Sequence, residues 1–291
     1  MVAPRPTAGA EAGSRRRALA ALIPAVLAAL PHLATAQVVN FRHYTANEGM
    51  PQAQIMGMHQ DRSGYLWFAT YGGLSRFNGT DFRTWTREDG LSSNSVFDVT
   101  EDPAGRLLTA SSAGFCIMDQ GRFQCYRQRD GLGSDNARSV AADPAGGAWV
   151  GTTNGLAHVE NGRVRNYTTG DGLPSNLVNR VAVDAAGVVW AATDRGLARR
   201  DSEHFIVEAG PIAGQAVAFV TAVGTDLIAG AGSRLHLRHD GKWSEIAADK
   251  IAAGTVLTDA TRDREGTIWV ATLTGALRIR GDEVRAIRQT N

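Results

Sequence analysis

Six histidines from His43 onward (His43, His59, His158, His204, His236 and His239) are the residues with the widest chemical reach in this chain. Imidazoles close to carboxylates or thiols would carry proton transfer or hold a metal. Here none stands in a His-Glu-x-x-His relation or at ligand spacing from a cysteine. A Gly-x-Ser-x-Gly elbow and a phosphate-cradling loop are missing as well. No catalytic constellation, metal site or cofactor is expected. His158, at an outward position of an alternating segment, reads as a solvated strand residue. The two cysteines lie in "GFCIMDQGRFQCY". A two-residue turn at Gln120-Gly121 sets Cys116 opposite Cys125 in a non-hydrogen-bonded pair, where a cross-strand disulfide fits. Two free, half-buried thiols are the other reading. The carboxylates that recur are Asp61, Asp102, Asp143, Asp184 and Asp263, each in Asp-x-x-Gly. They lack the spaced acidic ligands of a calcium loop, so they read as turn caps.

The elements that carry these residues repeat. The first four aspartates follow one another at steps of 41 residues, and Asp263 comes 79 after Asp184, leaving room for one degenerate unit. Trp67, Leu108, Trp149, Trp190 and Trp269 keep the same register, as do Gly73-Leu74, Gly155-Leu156 and Gly196-Leu197. In the degenerate unit, Gly224 stands for the turn glycine and Leu227 for the Trp. Within the third unit "ARSVAAD", "AWVGT", "LAHVE" and "RVRNY" read as four short strands, separated by "DPAGG", "TNG" and Asn161-Gly162. The last hairpin recurs as Asn78-Gly79, Gln120-Gly121, Asp240-Gly241 and Gly281-Asp282.

Four antiparallel strands per period of this length predict an all-β propeller. One four-stranded sheet cannot hide both apolar faces, whereas radially stacked sheets hide them against each other. Trp67, Trp149, Trp190 and Trp269 are then wedges between blades. The predicted units are 46–86, 87–127, 128–168, 169–209, 210–247 and 248–288. Tyr44 shares the register of Trp85, Tyr126 and Tyr167, so "VVNFRHYT" reads as an outer strand without inner strands of its own. The tally is six blades plus this orphan: a six-bladed ring, or a seven-bladed one that is incomplete.

With 43% hydrophobic and 20% charged residues, the composition is that of a globular protein, and a net charge of +1 gives no basic excess for nucleic acid. Residues 1–36 differ: Arg15-Arg16-Arg17, an apolar run from Ala18 to Leu30, then Ala34-Thr35-Ala36. That is the layout of a secretory signal peptide with cleavage after Ala36, and it predicts a periplasmic product. No later stretch is long and apolar enough to span a bilayer.

"DGLPSNLVNRVAVDAAGVVWAATDRGLARR" resembles the two-component regulator propeller repeat, with Gly172, Leu173, Ser175, Asn176, Asp184, Gly187, Trp190, Thr193, Gly196 and Leu197 on its pattern. The resemblance extends over 37–291, weakly in 205–250. It implies a periplasmic ligand-sensing input domain of a membrane receptor, often for glycan fragments. No membrane helix, kinase or cyclase region follows the repeats here, so the expectation is a truncated or stand-alone sensor without catalytic output. Its expected partners are a small-molecule or glycan-fragment ligand and a membrane receptor or another propeller. A propeller enzyme of the streptogramin-lyase type is the alternative. Scaffold positions repeat, so the non-repeating residues of the second-to-third-strand loops are the candidate ligand contacts: Tyr71, Asn154, Asp194, Arg195 and Thr274.

Overall fold

The computed structural model describes residues 44–45 and 48–287. The predicted signal peptide, its cleavage point, His43 and most of the orphan strand lie outside them. The described chain is a six-bladed propeller, and each blade is a four-stranded antiparallel sheet in sequential order. The first blade holds β1 (Ile55–Gln60), β2 (Leu66–Thr70), β3 (Gly73–Phe77) and β4 (Phe82–Trp85). The second holds β5 (Val96–Glu101), β6 (Leu107–Ser111), β7 (Gly114–Asp119) and β8 (Arg122–Tyr126), and the third β9 (Ala137–Ala142), β10 (Ala148–Thr152), β11 (Gly155–Glu160) and β12 (Arg163–Tyr167). The fourth holds β13 (Val178–Val183), β14 (Val189–Thr193), β15 (Gly196–Asp201) and β16 (His204–Val207). The fifth holds β17 (Val217–Val223), β18 (Asp226–Ala231), β19 (Arg234–His239) and β20 (Lys242–Ile246), and the sixth β21 (Leu257–Arg262), β22 (Ile268–Thr272), β23 (Gly275–Arg280) and β24 (Glu283–Ile287). No helix among the described residues is long and apolar enough to cross a membrane.

Burial follows the sequence pattern strand by strand. In the third blade β10, Ala-Trp-Val-Gly-Thr, is buried throughout, while β12 alternates exposed and half-buried up to Tyr167. The second strand is sandwiched between two blades, whereas the outer strand has one solvated face. Asn161 and Gly162 adopt left-handed φ of 50° and 77°, the mirror-image turn that suits a twisted hairpin. In the first blade the turn sits one residue later than predicted. Asn78 N–H donates to Asp81 O, and Asn78 Oδ1 accepts from Thr80 and Asp81 N–H, so Gly79-Thr80 form the tip. Gly155 begins β11 at φ +110°, and a Cβ there would lie 2.6 Å from the Tyr167 carbonyl. That close approach explains the recurring Gly-Leu pair.

The recurring aspartate does more than cap its turn. Asp184 Oδ1 accepts from Ala186 and Val188 N–H at 2.9 Å, and Oδ2 accepts from Trp190 Nε1 at 2.9 Å. Asp61–Trp67, Asp143–Trp149 and Asp263–Trp269 repeat the indole bond. The second blade has Leu108 in place of Trp, and Arg106 takes the vacant oxygen of Asp102. The fifth blade corrects the sequence reading. Its first hairpin is tighter, so Ile228, not Leu227, pairs with Leu237 as Trp190 pairs with Arg199. Ile228 packs toward the sixth blade and Leu227 toward the fourth.

Five apolar clusters join successive blades, with Trp67, Trp149 and Trp190 each buried in one of them. Trp269, in the sixth blade, is only half-buried. Among the described residues no comparable cluster joins the sixth blade to the first. Cys116 and Cys125 face each other on β7 and β8 as a disulfide, with Cα atoms 4.0 Å apart. His158 is not solvated. It stacks on Trp149 at 4.2 Å and its Nε2 meets Asp143 Oδ2 at 2.8 Å, because Trp149 beside it on β10 presents a flat ring.

Candidate functional site at the channel mouth

Five of the six second-to-third-strand turns are built on one hydroxyl; the fifth blade has Ala231 in its place. Thr152 Oγ1 donates to Gly155 O at 2.8 Å and accepts from Asn154 N–H at 3.1 Å. Thr70, Ser111, Thr193 and Thr272 hold the corresponding turns in the same way. These rigid turns share one end of the propeller, which places the side chains at their tips on a common face.

Asn154 and Asp194-Arg195 sit on turns of adjacent blades, the third and fourth. Asn154 Nδ2 donates to Gly133 O at 3.1 Å and its Oδ1 accepts from Asn176 Nδ2 at 3.3 Å, so the amide ties the connectors together. Arg195 is exposed. Asp194 is half-buried and its Oδ1 is buried without a partner among the described residues. Tyr71, two blades earlier, is exposed and meets Phe97 edge-on at 6.2 Å. Thr274 lies exposed on the sixth blade beside Leu273. Two hydroxyl pairs on this face, Ser93–Ser112 and Ser134–Thr153, each at 2.8 Å, were not foreseen from sequence.

Beneath the mouth lies a charged floor that sequence reasoning missed entirely. Every innermost strand carries a bulge one residue in from its start. Such bulges re-aim side chains. The residues that follow them are Gly57, Asp98, Ser139, Arg180, Phe219 and Asp259. Arg180, from the fourth blade, meets Asp98 of the second at 3.4 Å and Asp259 of the sixth at 2.8 Å. Asp98 also accepts from Val99 and Val140 N–H at 3.0 Å, and Thr221 Oγ1 donates to Asp259 at 3.2 Å. Burial pushes the Asp98 carboxyl up against the opposing pull of Arg180, while Asp98 raises the affinity of Arg180 for its proton. The adjoining cavity of the channel measures about 220 Å³ and includes His59, whose pKa burial lowers. Among the described residues, no group of histidine, cysteine and carboxylate side chains is placed to hold a metal ion.

Residues 49–72 match the two-component regulator propeller family, so the chain carries that repeat. Its fold is that of extracellular domains of two-component systems. The extracellular domain of a putative hybrid two-component system from B. thetaiotaomicron aligns at a TM-score of 0.72 and 20% identity, covering 86% of this chain and 37% of that one. The extracellular domain of a putative one-component system from the same organism gives 0.69 and 19%, over 81% and 36%. The chain therefore spans little more than a third of the length of those domains. Virginiamycin B lyase from Staphylococcus aureus shares the fold at 0.65 and 13% identity, over 81% of this chain and 85% of that one. No curated protein matches the sequence.

Proposed function

We propose that this chain is an exported ligand-binding module of the sensor type, and that its ligand sits on the channel mouth. The observation that carries the reading is the gathering of non-repeating polar side chains at one end of a repetitive scaffold. A propeller reuses one blade for stability, so the residues that differ between blades are those free to recognise something. At the mouth these are amides, hydroxyls, an exposed guanidinium at Arg195 and an exposed phenol ring at Tyr71. Hydroxyl-rich ligands are held by such groups: amides and guanidinium take the hydroxyls, and an aromatic face covers the C–H side of a sugar ring. The reading is therefore a glycan fragment, met in the periplasm after removal of residues 1–36, with the signal passed to a receptor.

The test is a thermal-shift and calorimetric screen of the mature chain against neutral and acidic oligosaccharides. A binding fragment raises Tm by mass action. Tyr71→Ala and Arg195→Ala each weaken it by about tenfold, the loss of one good contact. A binding fragment whose affinity ignores both substitutions would move the site elsewhere, and chemical turnover of the fragment would replace a binding module with an enzyme.

A further inference from the structure

Five arginines of the described chain lie over aromatic rings of the blades: Arg76, Arg83, Arg165, Arg200 and Arg238. Three of them also meet a carboxylate. Arg165 and Arg200 share Glu203, and Arg238 meets Glu208 at 3.1 Å. Arg76 and Arg83, both in the first blade, meet none among the described residues, and neither guanidinium donates a hydrogen bond to a described residue. Yet the two stand directly opposite each other on β3 and β4. Cβ atoms so placed are about 5 Å apart, and like charges there repel. The same cross-strand pair in the third blade is His158 opposite Arg165, and there Asp143 and Glu203 supply the balancing charge.

The uncompensated pair is also held in place. Arg76 Cζ lies 4.4 Å from the ring centre of Tyr65 and 5.7 Å from those of Trp67 and Trp85. Arg83 Cζ lies 4.6 Å from the Trp85 ring. The platform beneath is rigid: Trp67 and Trp85 are buried and stacked at 5.1 Å, and Asp61 Oδ2 accepts from Trp67 Nε1 at 2.7 Å. Stacking occupies the flat face of a guanidinium and leaves the N–H donors at its rim for other partners. Arg76 is half-buried and Arg83 exposed, so that rim is reached from solvent.

The chemistry of the partner follows. One carboxylate brings a single charge and two oxygens, enough for one guanidinium. A phosphate monoester brings nearly two charges at neutral pH and three acceptor oxygens, enough to serve both forks at once. We propose that Arg76 and Arg83 form a binding site for a phosphate monoester on the flank of the first blade, carried by β3 and β4 and independent of the channel mouth. Soluble esters and lipid headgroups both present this group, and the test separates them.

The mature chain is titrated with inorganic phosphate at constant ionic strength, so that screening does not change. The Nε–H resonances of Arg76 and Arg83 are followed by NMR, alongside Tm. The expected result is a saturable shift of both resonances and a rise in Tm. Arg76→Gln and Arg83→Gln each weaken binding by about tenfold. Arg83→Gln also relieves the repulsion and raises the Tm of the phosphate-free chain, which removal of a residue kept for stability would not do. Arg278→Gln is the control. It faces Arg285 across β23 and β24 of the sixth blade, with no ring stacked on either guanidinium among the described residues, and it leaves phosphate affinity within about twofold. Vesicles of phosphatidylcholine containing phosphatidic acid, whose headgroup is a phosphate monoester, distinguish the sources. Co-sedimentation that requires both arginines assigns the lipid headgroup; phosphate binding without co-sedimentation assigns a soluble ester. Shifts no larger than chloride produces at equal ionic strength would overturn the proposal. So would a phosphate response undiminished in the Arg76→Gln, Arg83→Gln double variant, or an equal loss in Arg278→Gln.

Discussion

The Asp184 side chain serves three donors at once, two backbone amides and the buried indole of Trp190. Asp184→Ala strands all of them, and the expected loss is about 2–4 kcal/mol in urea unfolding, the cost of leaving buried donors unpaired. The equivalent Asp263→Ala costs less, because Trp269 is partly open to water, which replaces the carboxylate. Equal losses at the two sites would contradict the burial argument. His236 lies on β19 where the third and fourth blades carry Ala157 and Ala198, and both ring nitrogens are buried without partners among the described residues. Burial lowers its pKa. Above about pH 6.5 it is neutral whether folded or unfolded. As pH falls from there, the unfolded chain gains a proton that the fold refuses. Stability is therefore lost progressively down to the lowered folded value. Unfolding free energy measured between pH 7 and pH 5 should fall less steeply in His236→Ala than in wild type; identical slopes would remove His236 from the account.

At the level of elements, three of the six bulged inner strands, β5, β13 and β21, connect blades that are not neighbours. Arg180→Leu leaves the buried Asp98 carboxylate without its cation, at an expected cost of about 2–4 kcal/mol once the partial exposure of Arg180 is discounted. Asp98→Asn added to that variant recovers part of the loss, and a double-mutant cycle measures the coupling. Strict additivity would mean that the ion pair contributes nothing. The β7–β8 hairpin is tied by its disulfide, and reduction should lower stability by about 2–3 kcal/mol through the freedom returned to the unfolded chain.

Across the whole molecule, the sequence discloses what recurs and conceals what meets across the ring. The Asp-x-x-Gly turn, the Trp register and the Gly-Leu pair are local and repeated, so four strands per unit could be read from them. Ile228 was misread as Leu227 because a tighter hairpin in the fifth blade breaks the count. The Arg180 floor was illegible: Gly57, Asp98, Ser139, Arg180, Phe219 and Asp259 look like mere variation at one repeat position until closure of the arc brings three of them together. The tip positions could be placed on turns from the repeat register, but sequence alone did not show that Asn154 is engaged by Asn176 and Gly133 while Arg195 faces solvent. Hydrogen exchange of the mature chain with and without a binding oligosaccharide tests the central claim most directly. The account predicts added protection in the turns at 71–73, 112–113, 153–154 and 194–195, at the channel mouth. Protection confined to the outer hairpin tips at 120–121 and 161–162, or none at all, would contradict it.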